Sequence, residues 1–301
     1  MNEIQLPQKE KDAKRSSFKK FLRLLVRSRT AMIGFIILIF LLLVAIFQEQ
    51  FATQDPNKQS LRARMLPPAW EENGDPAYLL GTDQLGRDIL SRMVYGTRIS
   101  LFVGFAGVVI STVIGTVLGL ISGYYGGIVD SIIMRIVDIF LAFPFLLLAI
   151  TFVVTLGPSL QNLIFVLGFT GWVSYARLVR GQTLSGKEQE YIMAARALGA
   201  SNARIIFKHI LPNLLAPIII LSSMEIGLYI MTESSLTFLG MGVPSTIPTW
   251  GNMLATGRNY LSNAWWLSTL PGLCIILTVL AFNFIGDWLR DALDPKSTYD
   301  V

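Results

Sequence analysis

Residues 191–212 read YIMAARALGASNARIIFKHILP. The stretch is too polar to cross a bilayer, yet it lies between two long apolar segments. It carries two short helical patterns separated at Gly199. Ile192, Ala195 and Leu198 fall on one face of the first pattern. Ile205, Ile206 and Ile210 mark a face of the second. Gly199 suits a left-handed helix end, Ser201 suits the cap of the helix that follows, and Pro212 marks the next boundary. A polar pair of helices held between apolar runs implies a membrane protein that returns to water here.

The rest of the chain agrees. Of 301 residues, 52% are hydrophobic and 15% charged, against about 25% charged in a soluble domain. Mean hydropathy is +0.55. The charges are segregated, which leaves apolar runs at Ala31–Phe47, Leu101–Gly123, Ile139–Leu156, Leu160–Val179, Leu214–Ile230 and Trp265–Trp288. The expected fold is an all-α integral membrane protein with six transmembrane helices. Nine of the 25 Lys and Arg precede residue 30, so the net charge of +5 reflects positive-inside topology rather than nucleic-acid binding. Interleaved Phe18, Phe21, Leu22, Leu24 and Leu25 suggest an amphipathic helix on the membrane surface there; a solvated tail is the alternative. The expected organisation is a cytoplasmic basic tail over 1–29, a first span over 30–48 and an extracytoplasmic segment over 49–98. A five-helix core over 99–290 encloses the cytoplasmic loop 181–213, and a cytoplasmic tail fills 291–301.

The opening stretch resembles the "E-A-A" loop of ATP-binding-cassette importer permeases: Glu-Ala-Ala, three residues, Gly, nine residues, Ile, one residue, Leu-Pro. Ala194, Ala195, Gly199, Leu211 and Pro212 fall in register, while Met193 replaces the Glu and His209 the Ile. The resemblance implies that Tyr191, Met193, Ala194, Ala195, Leu198, Gly199, Ala200 and Ser201 dock on an ATPase subunit and pass its movement to the spans. An ordinary amphipathic loop is the alternative.

A second motif, LLGTDQLGRDILSRMVYGTRISL at 79–101, resembles the signature after the first span in the oligopeptide, dipeptide and nickel permease branch. The matching residues include Gly81, Thr82, Asp83, Gly86, Arg87 and Asp88. From the residues alone, Asp83, Arg87, Asp88 and Arg92 suit an ion-paired cap at a helix start. A structural elbow is favoured over substrate contact. The branch resemblance implies the C-type permease of a pair, in a bacterial or archaeal plasma membrane with both termini cytoplasmic. It further implies a second, homologous permease subunit (a heterodimer), two ATP-binding subunits, an extracytoplasmic substrate-binding protein, and short peptides as cargo. Nickel or another substrate of the branch stays open.

Within the spans, Gly115, Gly119 and Gly123 recur every fourth residue after Ser111, a pattern for close helix packing. Trp172 and Tyr175 read as interface anchors near the inner end of the fourth span. Pro144 reads as a proline tolerated inside the third. Glu225 and Glu233 are ionisable residues at membrane depth and share a face, being about 80° apart around a helix. They are candidates to line the pathway and meet peptide amines; helix packing or capping is the alternative.

Catalytic chemistry is sparse. GQTLSGKE at 181–188 has P-loop spacing, but Glu188 stands where the magnesium-binding hydroxyl belongs and no strand precedes it. ATP and magnesium are therefore expected on partner subunits, with no cofactor on this chain. One His (His209) and one Cys (Cys274) exclude a multi-Cys metal cluster, and no Ser-His-Asp set is credible in the spans. An integral-membrane enzyme would rest on Glu225 and Glu233 alone. A channel or ion-driven transporter would leave the 191–212 pattern without a role.

Overall fold

The computed structural model describes residues 24–293; expectations for residues 1–23 and 294–301 lie outside the described residues. Among the described residues the chain is helical, with one isolated bridge between Thr82 and Asp88 and no strand. Five helices are long and apolar enough to cross a membrane, and a bent helix pair makes up to six.

Helix α1 spans Arg29–Ile46, with the Ser28 hydroxyl accepting from the Ala31 amide at 3.3 Å. It buries Ala31, Gly34, Leu41 and Val44 and leaves Ile33, Ile36, Ile39 and Phe40 bare, as a helix facing lipid would. Residues 47–88 form turns and short helical pieces that fold onto the start of α2, Ile89–Tyr125. That helix has 37 residues, about 55 Å at 1.5 Å per residue, and begins twelve residues before the expected span. The expected boundary at residue 98 thus falls inside a helix, because Asp88 caps it earlier.

The third span departs most from expectation. Instead of one helix over 139–156 with Pro144 inside, there are two, α3 (Gly127–Leu141) and α4 (Phe145–Leu156), meeting at 90°. Pro144 has no amide to donate and disfavours the helical region for Phe143, so the ladder stops at 142–144. The chain between the expected second and third spans is helical from Gly127 onward, after Gly126 and Gly127 turn it at φ 65° and 55°.

Helix α5 spans Leu160–Lys187, so residues 181–187 of the expected loop are helix, and the P-loop-like GQTLSGK is wound into it. Its contact with α2 forms the centre of the molecule. A Cβ on Gly119 would lie 2.7 Å from the Ala176 carbonyl oxygen, and one on Gly123 would lie 2.9 Å from that of Arg180. The stripe of small residues packs helices within this chain. Trp172 and Tyr175 face the stripe and are buried (3% and 0% exposed), which corrects the interface-anchor expectation. Aromatics near flanking arginines look alike from sequence whether they point to headgroups or to a neighbouring helix.

Helix α6 spans Glu190–Ala197. After Gly199 a continuous helical run begins: Asn202–Arg204, a π-helical turn over Ile205–Ile210, then α7, Leu211–Phe238. Pro212 follows the π-helical turn inside this run and the helix continues through it, so it marks no break. Helix α8, Trp250–Gly257, lies between the expected fifth and sixth spans, and α9, Trp266–Leu293, packs against α7 and α1. A Cβ on Gly34 would come within 2.9 Å of the Ala281 carbonyl, so α1 rides directly on the α9 backbone.

Candidate functional site

The stretch 190–213 forms a cap on one end of the bundle. Ile192 is fully buried and clusters with Ile205, Ile206, Ile210 and Leu214. Gly199 (φ 80°) ends α6 in a Schellman motif: its amide donates to the Arg196 carbonyl, and the Ala200 amide to that of Ala195, both at 3.0 Å. A Cβ on Gly199 would meet no atom within 4 Å, so the backbone angle alone demands glycine. Ser201 accepts from the Arg204 amide at 3.4 Å and caps the next turn. Leu198 does not share the buried face of Ile192; it is 89% exposed, because the αL residue after it ends the helix and turns the chain away. Tyr191, Met193, Leu198 and Phe207 are exposed large apolar residues, with Ala194 exposed among them and Ala195 half-buried. An apolar surface ordered by a buried anchor marks an interaction site.

The cap is tied to the spans by polar contacts that the sequence did not disclose. Tyr124 at the end of α2 donates to Asn202 at 2.8 Å, and the Arg196 guanidinium lies 6.0 Å from the Tyr124 ring centre. Asn213 donates to the Tyr191 hydroxyl at 3.0 Å. Lys187 donates to the Gly123 carbonyl at 3.1 Å, and Arg180 forms a bidentate pair with Asp130, which also accepts from Ser122. Apart from the Ser122 and Asn213 contacts, these partners lie 50 to 78 residues apart, beyond any local periodicity.

At the opposite end, the 79–101 motif forms a buried elbow. Gly81 and Gly86 take φ of 80° and 72°. Thr82 donates to the Ala63 carbonyl at 2.5 Å and accepts from the Leu66 amide at 2.9 Å. Asp83 accepts from the Leu85 and Arg87 amides and from Arg87 Nε at 2.6 Å, with Arg92 Nε at 3.9 Å. Asp88 caps α2 and binds the hydroxyls of Ser91 and Thr53. Asp83, Arg87, Asp88 and Arg92 are all buried; both arginines meet Asp83, while Asp88 holds the helix cap and two hydroxyls.

The two glutamates of α7 are separated. Glu233 is sealed beneath α8, accepting from the hydroxyls of Thr237 at 2.9 Å and of Thr249 and Ser234 at 3.2 Å. It does not line the cavity that Glu225 borders, so the two expected pathway residues stand apart. The 80° offset turns it under the chain that returns through Thr249 and Trp250, a fold-back that periodicity cannot reveal. Glu225 is half-buried and borders a cavity of about 240 Å³. The broken α3–α4 pair supplies Phe140, Phe143 and Phe145, α5 supplies Thr170 and Ser174, and α7 supplies Tyr229. Among the described residues, no metal-ligating cluster occurs in the molecule.

Comparison with known proteins gives a consistent outcome. A family model described as "Binding-protein-dependent transport system inner membrane component" matches residues 115–299. A second, "N-terminal TM domain of oligopeptide transport permease C", matches residues 16–68. The dipeptide transport system permease protein DppC of Escherichia coli (strain K12) is 48% identical over 270 residues, 90% of each chain. That of Haemophilus influenzae is 47% identical over 270 residues, 90% of this chain and 92% of the other. The di/tripeptide transport system permease protein DppC of Pseudomonas aeruginosa is 41% identical over 281 residues, 93% of both. A chain from inward-facing structures of the MetNI methionine ABC transporter superposes with TM-score 0.55 and 22% identity, over 67% of this chain and 97% of that one. That last likeness is one of fold.

Proposed function

The chain belongs to the family of binding-protein-dependent transport system inner membrane components, and on that premise we propose that it is a non-catalytic, peptide-translocating subunit of an ATP-binding-cassette importer. The family carries with it an ATPase component and a substrate-binding protein. In this reading the chain pairs with a second, homologous permease subunit and two ATP-binding subunits, and ATP with magnesium stays on those partners. Short peptides are the cargo, as in the names of the relatives. The cap end and both termini face the cytoplasm; the elbow and α8 face the binding protein.

The observation that carries the coupling role is the two-sided build of 190–213. Ile192 and the isoleucines of the π-helical turn bind the segment to the core, while Tyr191, Met193, Leu198 and Phe207 stay bare on the outside. A motion imposed on that bare surface cannot be absorbed locally, since its inner side is packed. Closure of the ATPase pair then moves α6, and the spans reopen toward the delivered peptide in alternating access.

The experiment is uptake of a labelled dipeptide by cells carrying the wild type or Gly199→Pro, with membrane insertion and ATPase co-purification followed in parallel. Proline cannot adopt the φ of 80° at Gly199 and deletes the amide that closes α6. Loss of uptake and of ATPase association with insertion intact supports the proposal. Unchanged uptake refutes the coupling role, and absence of dipeptide uptake in the wild type refutes the cargo.

A further inference from the structure

The cavity beside Glu225 exists because α3 and α4 do not continue one another. A straight helix over 139–156 would carry its side chains past α7. The 90° break at 142–144 instead brings Phe140, Phe143 and Phe145 around a hollow floored by α5 and α7. Phe145 stacks on Tyr229 with ring centres 6.5 Å apart, which fixes one wall. The Tyr229 hydroxyl bonds to Ser111 at 2.7 Å, and the Ser111 hydroxyl donates to the Gly168 carbonyl at 2.8 Å. Thr170 donates back to the Val166 carbonyl at 2.7 Å. These polar groups of the wall are therefore already satisfied.

Glu225 is different. It is the one charged residue lining the cavity, and among the described residues it enters no ion pair. A carboxylate at membrane depth is costly and is found where it meets a cation, a polar partner or water. The surrounding aromatic faces also favour a cation, because rings present negative faces. At about 240 Å³ the hollow holds roughly eight waters at ~30 Å³ each. That is room for the amino-terminal part of a short peptide.

We propose that Glu225 receives the α-ammonium group of a translocating short peptide, with the α3–α4 break as the aromatic enclosure around that amino terminus. The proposal rests on the peptide-importer reading above and adds the group of the substrate that this chain contacts. The wall offers no cation for the peptide carboxylate, so the cavity selects one end and gives the peptide a direction as it passes.

The test is import of radiolabelled alanyl-alanine by the complete transporter reconstituted in proteoliposomes, with assembly verified by co-purification of the ATPase. Wild type, Glu225→Asp and Glu225→Gln are compared. The expected result is at least a tenfold loss of import for Glu225→Gln and recovery to within a fewfold of wild type for Glu225→Asp, which keeps the charge. Import by Glu225→Gln within twofold of wild type overturns the proposal. If Glu225→Gln does not assemble, Ser174→Lys replaces it: its own ammonium enters the same hollow and competes for the carboxylate. Import then falls at least tenfold, and unimpaired import with lysine at 174 overturns the proposal. A wild type that imports no alanyl-alanine refutes the cargo reading itself, and this inference falls with it.

Discussion

Arg180 grips Asp130 through two hydrogen bonds, Nε to Oδ1 at 2.5 Å and Nη2 to Oδ2 at 2.6 Å, and thereby fastens the first turn of α3 to the last third of α5. The pair stands where the spans meet the cap formed by residues 190–213. It holds the near half of the broken α3–α4 element in a fixed relation to α5, from which α6 follows after two residues.

Asp130→Asn keeps the shape but removes the charge that makes the pair bidentate and strong. The pair is partly exposed, with about a third of the Arg180 side chain open, so its contribution to stability is about 1 kcal/mol or less. Import is expected to fall severalfold while insertion stays normal. The exchanged pair, Asp130→Arg with Arg180→Asp, recovers part of the loss. A double-mutant cycle on import and thermal stability measures this, and additive losses would mean that the two residues act separately.

Gly199 isolates a backbone effect from a packing effect, because nothing crowds a side chain at that position. A non-glycine residue in the left-handed region costs roughly 1–2 kcal/mol, and asparagine bears it better than alanine. Uptake and ATPase co-purification should therefore rank wild type, Gly199→Asn, Gly199→Ala and Gly199→Pro in descending order. Equal activity of the alanine and proline variants would contradict this ranking.

Gly115 gives the opposite case, crowding without an unusual angle. A Cβ there would collide with the Trp172 carbonyl oxygen and the Tyr175 side chain. Gly115→Val is expected to cost about 1–3 kcal/mol through forced separation of α2 and α5. Thermal unfolding of the purified complex in detergent is the measurement, and an unchanged midpoint would show that the two helices can part freely.

Glu233 and Glu225 should respond differently. Glu233→Ala leaves three buried hydroxyls short of an acceptor and costs about 1–3 kcal/mol. Its effect should appear in thermal stability, while the KM for dipeptide stays near wild type in the protein that remains folded. A raised KM with normal stability would return Glu233 to the pathway.

Most of the membrane architecture was legible in the sequence, because bilayer thickness imposes runs of about twenty apolar residues and charges cluster between them. The helix end at Gly199 and the cap at Ser201 were legible too, since each rests on the chemistry of a single residue. The break at Pro144 was not. A proline inside a span is compatible with a continuous helix or with two, and only the packing of Phe140 and Phe145 on different partners separates the cases. The burial of Trp172 and Tyr175 was hidden for a related reason. Periodicity reports that a face exists and leaves open whether lipid or another helix covers it. The split between Glu225 and Glu233 depends on α8, whose return under Thr249 is a tertiary event with no local signal.

The helical run from Asn202 to Phe238 joins the cap to the spans as one length of helix. Its 37 residues extend about 55 Å, and the Glu225 position lies about 35 Å from the end that joins the cap. A tilt of roughly 10° about its midpoint would carry each tip about 5 Å, close to the pitch of one helical turn. The π-helical turn, Ile205–Ile210, sits near the cap end of this run. A rod turning about its midpoint would pass a displacement of about 5 Å at the cap end to an equal and opposite displacement at its far end.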